Sequence, residues 1–504
     1  MIPQMKTLAQ IGAKAHTVRN TPILLLACAV AIIAILLHIG VAFWAENEFT
    51  QPEGIVATQI LSLSQKGSLY YDLKQYPYTV CAYMPSFYVL VAGLNRIGLP
   101  VLVAGRLLSI LALVAILFLI WRILLLYTAD QLCAATGVCL AGMTQLLLGW
   151  GIVGQVDMLA IAFTLAAFHQ YVRYSVSKAD SLDWAAVFAL AGLFTKQTVI
   201  AAPAVIFLML LLENPKRAIR FAGIVAGLGG ALVLGLNGWM QGRFLENTVF
   251  ANLNPFALYK LNIHFKYMVV ALLPLVPVAA VGLRLTLDTP MRASFAYLGC
   301  ALAVFFLTAA KVGSDSNYQI ETSVLLILCS CLSLHALNFF PLLLGRSRQW
   351  VTLLVLPLGL YVVQNLRVGT SGLAQRVGRE LSFRAQIEEL SPYLSGTGKV
   401  LSTDSNALVH AKRRFEVEPL IYRLLVEAGR VDAGPVLRDL ENAKFQAVLL
   451  YENLAESRDN DPEFPRLTSG QSDAIRQRYR LVKHLPGPYL GGLYVYQPRT
   501  NWGQ

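Results

Sequence analysis

Long apolar runs separated by short polar ones dominate the chain. Stretches of roughly 17 to 25 apolar residues can cross a bilayer. Eleven segments read as candidate spans: Ile23 to Trp44, Val101 to Tyr127, Leu132 to Gly151, Met158 to Tyr174, Trp184 to Phe194, Val199 to Leu212, Phe221 to Trp239, Tyr267 to Leu285, Ser294 to Ala310, Thr322 to Leu343 and Trp350 to Leu366. The fifth and sixth are short. Gly223, Ala226, Gly227 and Gly230 give the seventh a stripe of small residues that permits close helix packing. After Leu366 the pattern changes. Strand-like alternation at Lys399 to Ser402, Ala447 to Leu450, Tyr479 to Lys483 and Leu493 to Tyr496, with a helical period over Pro419 to Ala428, predicts a small α/β domain. The expected architecture is a mainly α, polytopic membrane domain (residues 1–366) followed by a soluble α/β tail (367–504). The tail shows no nucleotide loop or catalytic signature and reads as accessory.

Composition agrees. The chain is 56% hydrophobic and 14% charged, and half of its charged residues lie after Leu366. The net charge of +12 is concentrated at membrane edges, where basic residues are expected, so nucleic-acid binding is not implied. With the N-terminus inside, cytoplasmic edges collect Lys6, Lys14, Arg19, Arg122, Arg173, Lys178, Lys216, Arg217, Arg220, Arg284, Arg292, Arg346 and Arg348. That asymmetry places the first long loop and the tail outside. Cys28, Cys133, Cys139, Cys300, Cys329 and Cys331 sit in apolar runs without metal-site spacing and read as small core residues.

Candidate chemistry gathers on the outer side. The first outer loop, residues 45–100, is too long for a mere connector. It carries Glu46, Glu48 and Glu53, a helical apolar pattern (Ile55, Ile60, Leu61, Leu63) and the tyrosines Tyr76, Tyr78, Tyr83 and Tyr88. An amphipathic helix, acidic residues and clustered tyrosines suit a groove at the membrane surface that grips a sugar; a solvated aromatic belt explains the same residues. Three more polar clusters fall on that side: Gln155 with Asp157, the run Thr195-Lys196-Gln197-Thr198, and Lys311 through Asn317, Tyr318 and Glu321.

Pro52-Glu53-Gly54, Tyr83 with Pro85, Thr195-Lys196-Gln197, and Asn317-Tyr318 with Glu321 together resemble the GT-C superfamily, in particular the bacterial family related to protein mannosyltransferases and the lipid A aminoarabinose transferase. The resemblance covers the first span to about Leu343. Relatives commonly carry an Asp-Glu pair after the first span; here Pro52 stands at the Asp position and Glu53 is the matching carboxylate, with Glu48 as the alternative.

The resemblance implies a multi-pass protein of the bacterial inner membrane that transfers a sugar, with inversion, from a polyprenyl-phosphate donor to a lipid, glycan or protein acceptor on the non-cytoplasmic face. It implies Glu53 as general base and Lys196 as the cation for the departing phosphate. Tyr83, Asp157, Gln197, Lys311, Asn317, Tyr318 and Glu321 are the remaining substrate-binding candidates. Lys260, Lys266 and His264 are alternatives that a snorkelling or interfacial role explains as well. No cofactor is implied, and a divalent metal between Glu53 and Asp157 stays open. A transporter or flippase, or a noncatalytic subunit of a glycan-assembly complex, are the rival readings.

Overall fold

The computed structural model describes residues 22–179, 181–337, 348–455, 467–486 and 492–499. Lys6, Lys14, Arg19, Arg346 and the end of the expected tenth span lie outside them. The helices run α1 (Pro22–Trp44), α2 (Gln51–Lys66), α3 (Ser86–Arg96), α4 (Val101–Thr128), α5 (Gln131–Gly142), α6 (Gln145–Gly151), α7 (Val156–Ser177), α8 (Leu182–Leu193), α9 (Ala201–Glu213), α10 (Pro215–Ala222), α11 (Gly229–Trp239), α12 (Arg243–Leu245), α13 (Leu258–Leu272), α14 (Leu275–Thr286), α15 (Arg292–Ala309), α16 (Ile320–Ala336) and α17 (Arg348–Leu394).

Five described helical stretches are long and apolar enough to cross a membrane, or seven if each of two bent pairs counts as one span. The shortfall from eleven has physical causes. α8 and α9 have 12 and 13 residues, and at about 1.5 Å per residue each reaches only about 18–20 Å against a hydrocarbon core of about 30 Å. The expected third and eighth spans are broken, by 63° between α5 and α6 and by 79° between α13 and α14. α7 carries Asp157 and His169 and is buried along most of its length.

Burial separates inner from outer helices. The Ser316–Ala336 stretch is 83% buried and forms the bundle's centre, whereas Pro215–Trp239 is 11% buried. The small-residue stripe of that outer helix therefore does not pack as expected. A methyl group at Gly223, Gly227 or Gly230 would meet nothing within 4 Å. The edge that does touch the bundle carries Phe221 and Gly229, the latter beside Leu190.

α2 confirms the helical pattern of the first outer loop. Thr50 caps it by accepting from the Glu53 amide at 3.3 Å, Pro52 occupies its first turn, and Gly67 ends it at φ 69°, a conformation that glycine adopts without strain. Four strands appear where alternation placed them: β1 (Lys399–Ser402), β2 (Phe445–Leu450), β3 (Tyr479–Leu485) and β4 (Leu493–Pro498). The sheet order is β1-β2-β4-β3, with β1 and β2 parallel and the other pairs antiparallel. Residue 367 falls inside α17, which continues unbroken to Leu394.

The tail is fastened to the first loop. The Tyr78 amide donates to the Glu416 carbonyl and the Glu418 amide returns a bond to the Tyr78 carbonyl, both at 2.9 Å. Ser405 donates to Glu48 Oε2 at 2.6 Å. The tail, the first loop and the turns at Asp157, Lys196 and Asn317 thus share one side of the bundle.

Candidate active site

Three chain turns build the centre of the site. Asp157 opens α7, where the helix N-terminus favours a carboxylate. Lys196 sits in the turn after α8, and Asn317 in the 3₁₀ turn (Ser316–Gln319) before α16. Lys196 Nζ reaches Asp157 Oδ1 at 2.5 Å, with both side chains almost wholly buried. Asn317 Nδ2 donates to the other carboxylate oxygen at 3.1 Å. The ammonium also lies over the rings of Tyr318 (4.4 Å) and Tyr83 (5.7 Å), contacts that stabilise a cation. Burial opposes the lysine's charge, but Asp157 together with Tyr318 and Tyr83 holds the ammonium above the ordinary lysine range.

These residues border a cavity. Asp157, Lys196, Asn317, Tyr318 and Glu321 form its polar end, and Ile161, Val304 and Phe305 form an apolar wall. The wall comes from α7 and from the candidate span α15, so the cavity pairs a buried cation with an apolar lining. The side-chain amide oxygen of Asn317, Oδ1, has no hydrogen-bond partner among the described residues.

The other candidates take distinct places. Gln197 donates to the Ala82 carbonyl at 2.7 Å and the Thr248 carbonyl at 3.0 Å, which ties the Lys196 turn to the first loop. Lys311 donates to Asn252 at 3.1 Å; burial, and then the charge of Lys196, lower its proton affinity. Glu321 accepts from the Tyr297 hydroxyl at 2.6 Å. His264 is buried against Ser314 at 2.9 Å, Lys260 is buried, and Lys266 is exposed. Among the described residues no group of three His, Cys, Asp or Glu side chains could hold a metal.

Glu53 stands away from this cavity and is sealed. It is fully buried. Its Oε1 accepts from Arg106 Nε (2.9 Å) and the Gly154 amide (2.8 Å), and its Oε2 from Arg106 Nη2 (3.0 Å) and the Phe49 amide (2.6 Å). Each oxygen of this carboxylate thus accepts two hydrogen bonds from within the chain. Arg106 spends its remaining N–H groups on the carbonyls of Ala42, Ala45 and Asn47. The pair joins the end of α1, the start of α2, α4 and the Gly154 turn that leads into Asp157. A Cβ on Gly105 would lie 3.1 Å from the Gly154 Cα, so glycine is needed for that approach. Glu48 faces a different cavity, shared with Asp404 and Asn406 of the tail. Burial, reinforced by Asp404, pushes its carboxyl well above the usual range.

Sequence reasoning missed Arg106, the partner that decides what Glu53 does. The signal was an arginine one turn into an apolar run, where a charge needs a buried partner.

No family model matches the sequence, and no curated protein matches it. Solved structures do resemble the fold. ArnT from Cupriavidus metallidurans bound to undecaprenyl phosphate superposes with a TM-score of 0.62 at 12% identity, over 96% of this chain and 100% of that one. The Archaeoglobus fulgidus oligosaccharyltransferase in its apo form gives 0.54 at 10% identity, over 85% of this chain and 69% of that one. The arabinofuranosyltransferase AftD from Mycobacteria gives 0.51 at 14% identity, over 96% of this chain and 40% of that one. The chain therefore shares the fold of these solved structures.

Proposed function

We propose that this protein is a membrane glycosyltransferase that takes its sugar from a polyprenyl-phosphate carrier, with inversion, on the non-cytoplasmic face. One observation carries the reading: a buried lysine closes the polar end of a cavity whose apolar wall includes the candidate membrane span α15. That cavity matches a lipid phosphate, with the phosphate on Lys196 and the prenyl chain along Ile161, Val304 and Phe305. A departing phosphate needs a fixed cation where its charge develops, and the ring faces of Tyr83 and Tyr318 keep the ammonium dehydrated and in place. Asp157 and Asn317 orient Lys196 until the phosphate arrives.

Binding of polyprenyl phosphate to the purified full-length protein tests this. A hydrogen bond to a charged group contributes about 1.5–3 kcal/mol, so Lys196→Met paired with Asp157→Asn, which leaves no unpaired buried charge, should weaken binding about 10- to 100-fold. Unchanged binding by the double variant removes the phosphate from this cavity.

A further inference from the structure

The end of α2 and a loop of the tail close around a basic pocket. Lys66, the last residue of α2, lines it together with Lys412, Arg413 and Arg414 from the loop after the helix Ser405–His410. Glu416 is the one acid among its described lining residues. Four cations gathered around one carboxylate repel one another until an anion joins them. Arg413 is fixed by donating to the Gly398 carbonyl at 2.7 Å and to the Gly396 carbonyl, which leaves its charge uncompensated. Arg414 stands 3.8 Å from Glu416. Lys66 and Lys412 are exposed and make no hydrogen bond or ion pair among the described residues. The loop itself is held in place, because Phe415 is buried and the Glu416 carbonyl accepts from the Tyr78 amide.

α3 sets the depth of this pocket. Arg96, at the end of α3, donates to the Leu63 carbonyl at 3.4 Å, about one turn before Lys66. Residues 97–100 alone separate that end from Val101, where the candidate span α4 starts, which puts the pocket at the boundary of the membrane. One face of α3 buries Phe87, Tyr88, Val91 and Ala92. On the opposite face Val89, Leu90 and Ile97 are 56%, 47% and 75% exposed. An apolar helix face edged by cations suits a helix lying at headgroup level. We infer that the pocket binds the phosphate of an anionic phospholipid, whose acyl chains run beside the exposed face of α3 and whose headgroup ties the tail to the end of α2. Lys66 and Lys412 pair with the phosphate oxygens, and the fixed charge of Arg413 adds to the attraction. A lipid fits better than a dissolved phosphate because cations and apolar stripe are joined through the Arg96–Leu63 bond, and a lipid carries a part for each. The pocket and the Lys196 cavity share no lining residue, so each can be tested without the other.

The test uses the full-length protein in phosphatidylcholine vesicles that contain phosphatidylglycerol with a photoreactive group on its headgroup. Mass mapping should find adducts on residues 60–66 and 411–416. Attraction to anionic lipid amounts to about fivefold for each Lys or Arg near the surface, so Lys66→Gln combined with Lys412→Asn should lower these adducts about 25-fold. Both side chains are exposed, and the left-handed backbone of Lys412 (φ 52°) suits asparagine, so the melting temperature should not change. Lys196→Met paired with Asp157→Asn should keep the adducts. Undiminished labelling in the Lys66/Lys412 variant overturns the inference, as does equal labelling by phosphatidylcholine bearing the same group. Photoreactive glycerol phosphate in detergent is the remaining arm: labelling as strong as that by the lipid would assign the pocket to a soluble phosphate and overturn the lipid.

Discussion

The Glu53–Arg106 pair allows a test that separates a structural carboxylate from a catalytic one. Glu53→Gln keeps the shape of the side chain but leaves the Arg106 guanidinium, fully buried, without its counter-charge. Breaking a buried pair by removing one partner costs about 3–5 kcal/mol. Adding Arg106→Met removes the uncompensated charge, at the expense of the guanidinium's bonds to the Ala42, Ala45 and Asn47 carbonyls. Replacing both members of such a pair is often close to neutral. Thermal melts and turnover of purified protein in detergent should therefore show a large loss for Glu53→Gln alone and recovery of most of both properties in the double variant. A general base would behave otherwise, because neither variant can accept the proton. If Glu53→Gln melts like the wild type but turns over about 10²- to 10⁴-fold more slowly, and the double variant is equally stable and equally slow, Glu53 is the base and its role as a strut is refuted.

Three other expectations follow from the packing and the buried acids. Burial raises the proton affinity of Glu48, Asp404 and Glu418, so the folded state holds protons that the unfolded chain would release. Stability should be fullest below the ordinary carboxylate range and fall as pH rises toward 7; a melting temperature that is instead higher at pH 7.5 than at pH 5.5 would contradict this. Gly105→Ala must displace the Gly154 backbone, 3.1 Å from the new methyl, and overpacking of this kind costs about 1–3 kcal/mol; turnover should fall with it because the Gly154 turn sets Asp157, and full activity would deny that link. Gly227→Leu on the outer helix should leave the melting temperature within about 0.5 kcal/mol of wild-type stability, since its neighbourhood is open.

Legibility in the sequence followed the range of the forces involved. Period-2 alternation is local, so all four tail strands appear where it placed them. Apolar helices were legible from composition, but of the eleven expected spans only five described stretches, or seven with the bent pairs, are long and apolar enough to cross a membrane; the breaks at Met143–Thr144 and Leu273–Pro274 were hidden because a bent pair has the same composition as a straight span. The convergence of Asp157, Lys196 and Asn317 could be anticipated as a shared side of the membrane, since each lies at a helix end. The meeting of Glu53 with Arg106 could not. It spans 53 positions and depends on how α1, α2 and α4 pack. The docking of the tail was hidden for the same reason: it depends on the pairing of Tyr78 with Glu416 and Glu418, more than 300 positions away.

The continuity of α17 couples the site to the bilayer. The helix holds the segment expected as the eleventh span and runs on to Leu394, where the tail begins its sheet. Its part beyond Leu366 is about 40 Å long and is fastened to the bundle, with Arg376 donating to the Gly149 carbonyl at 2.9 Å and Glu380 accepting from the Glu46 and Asn47 amides at 3.0 Å. Helices change tilt when the hydrocarbon thickness changes. Bonded in this way to the end of α1 and to α6, the tail is carried along by any tilt of the bundle as one piece with it.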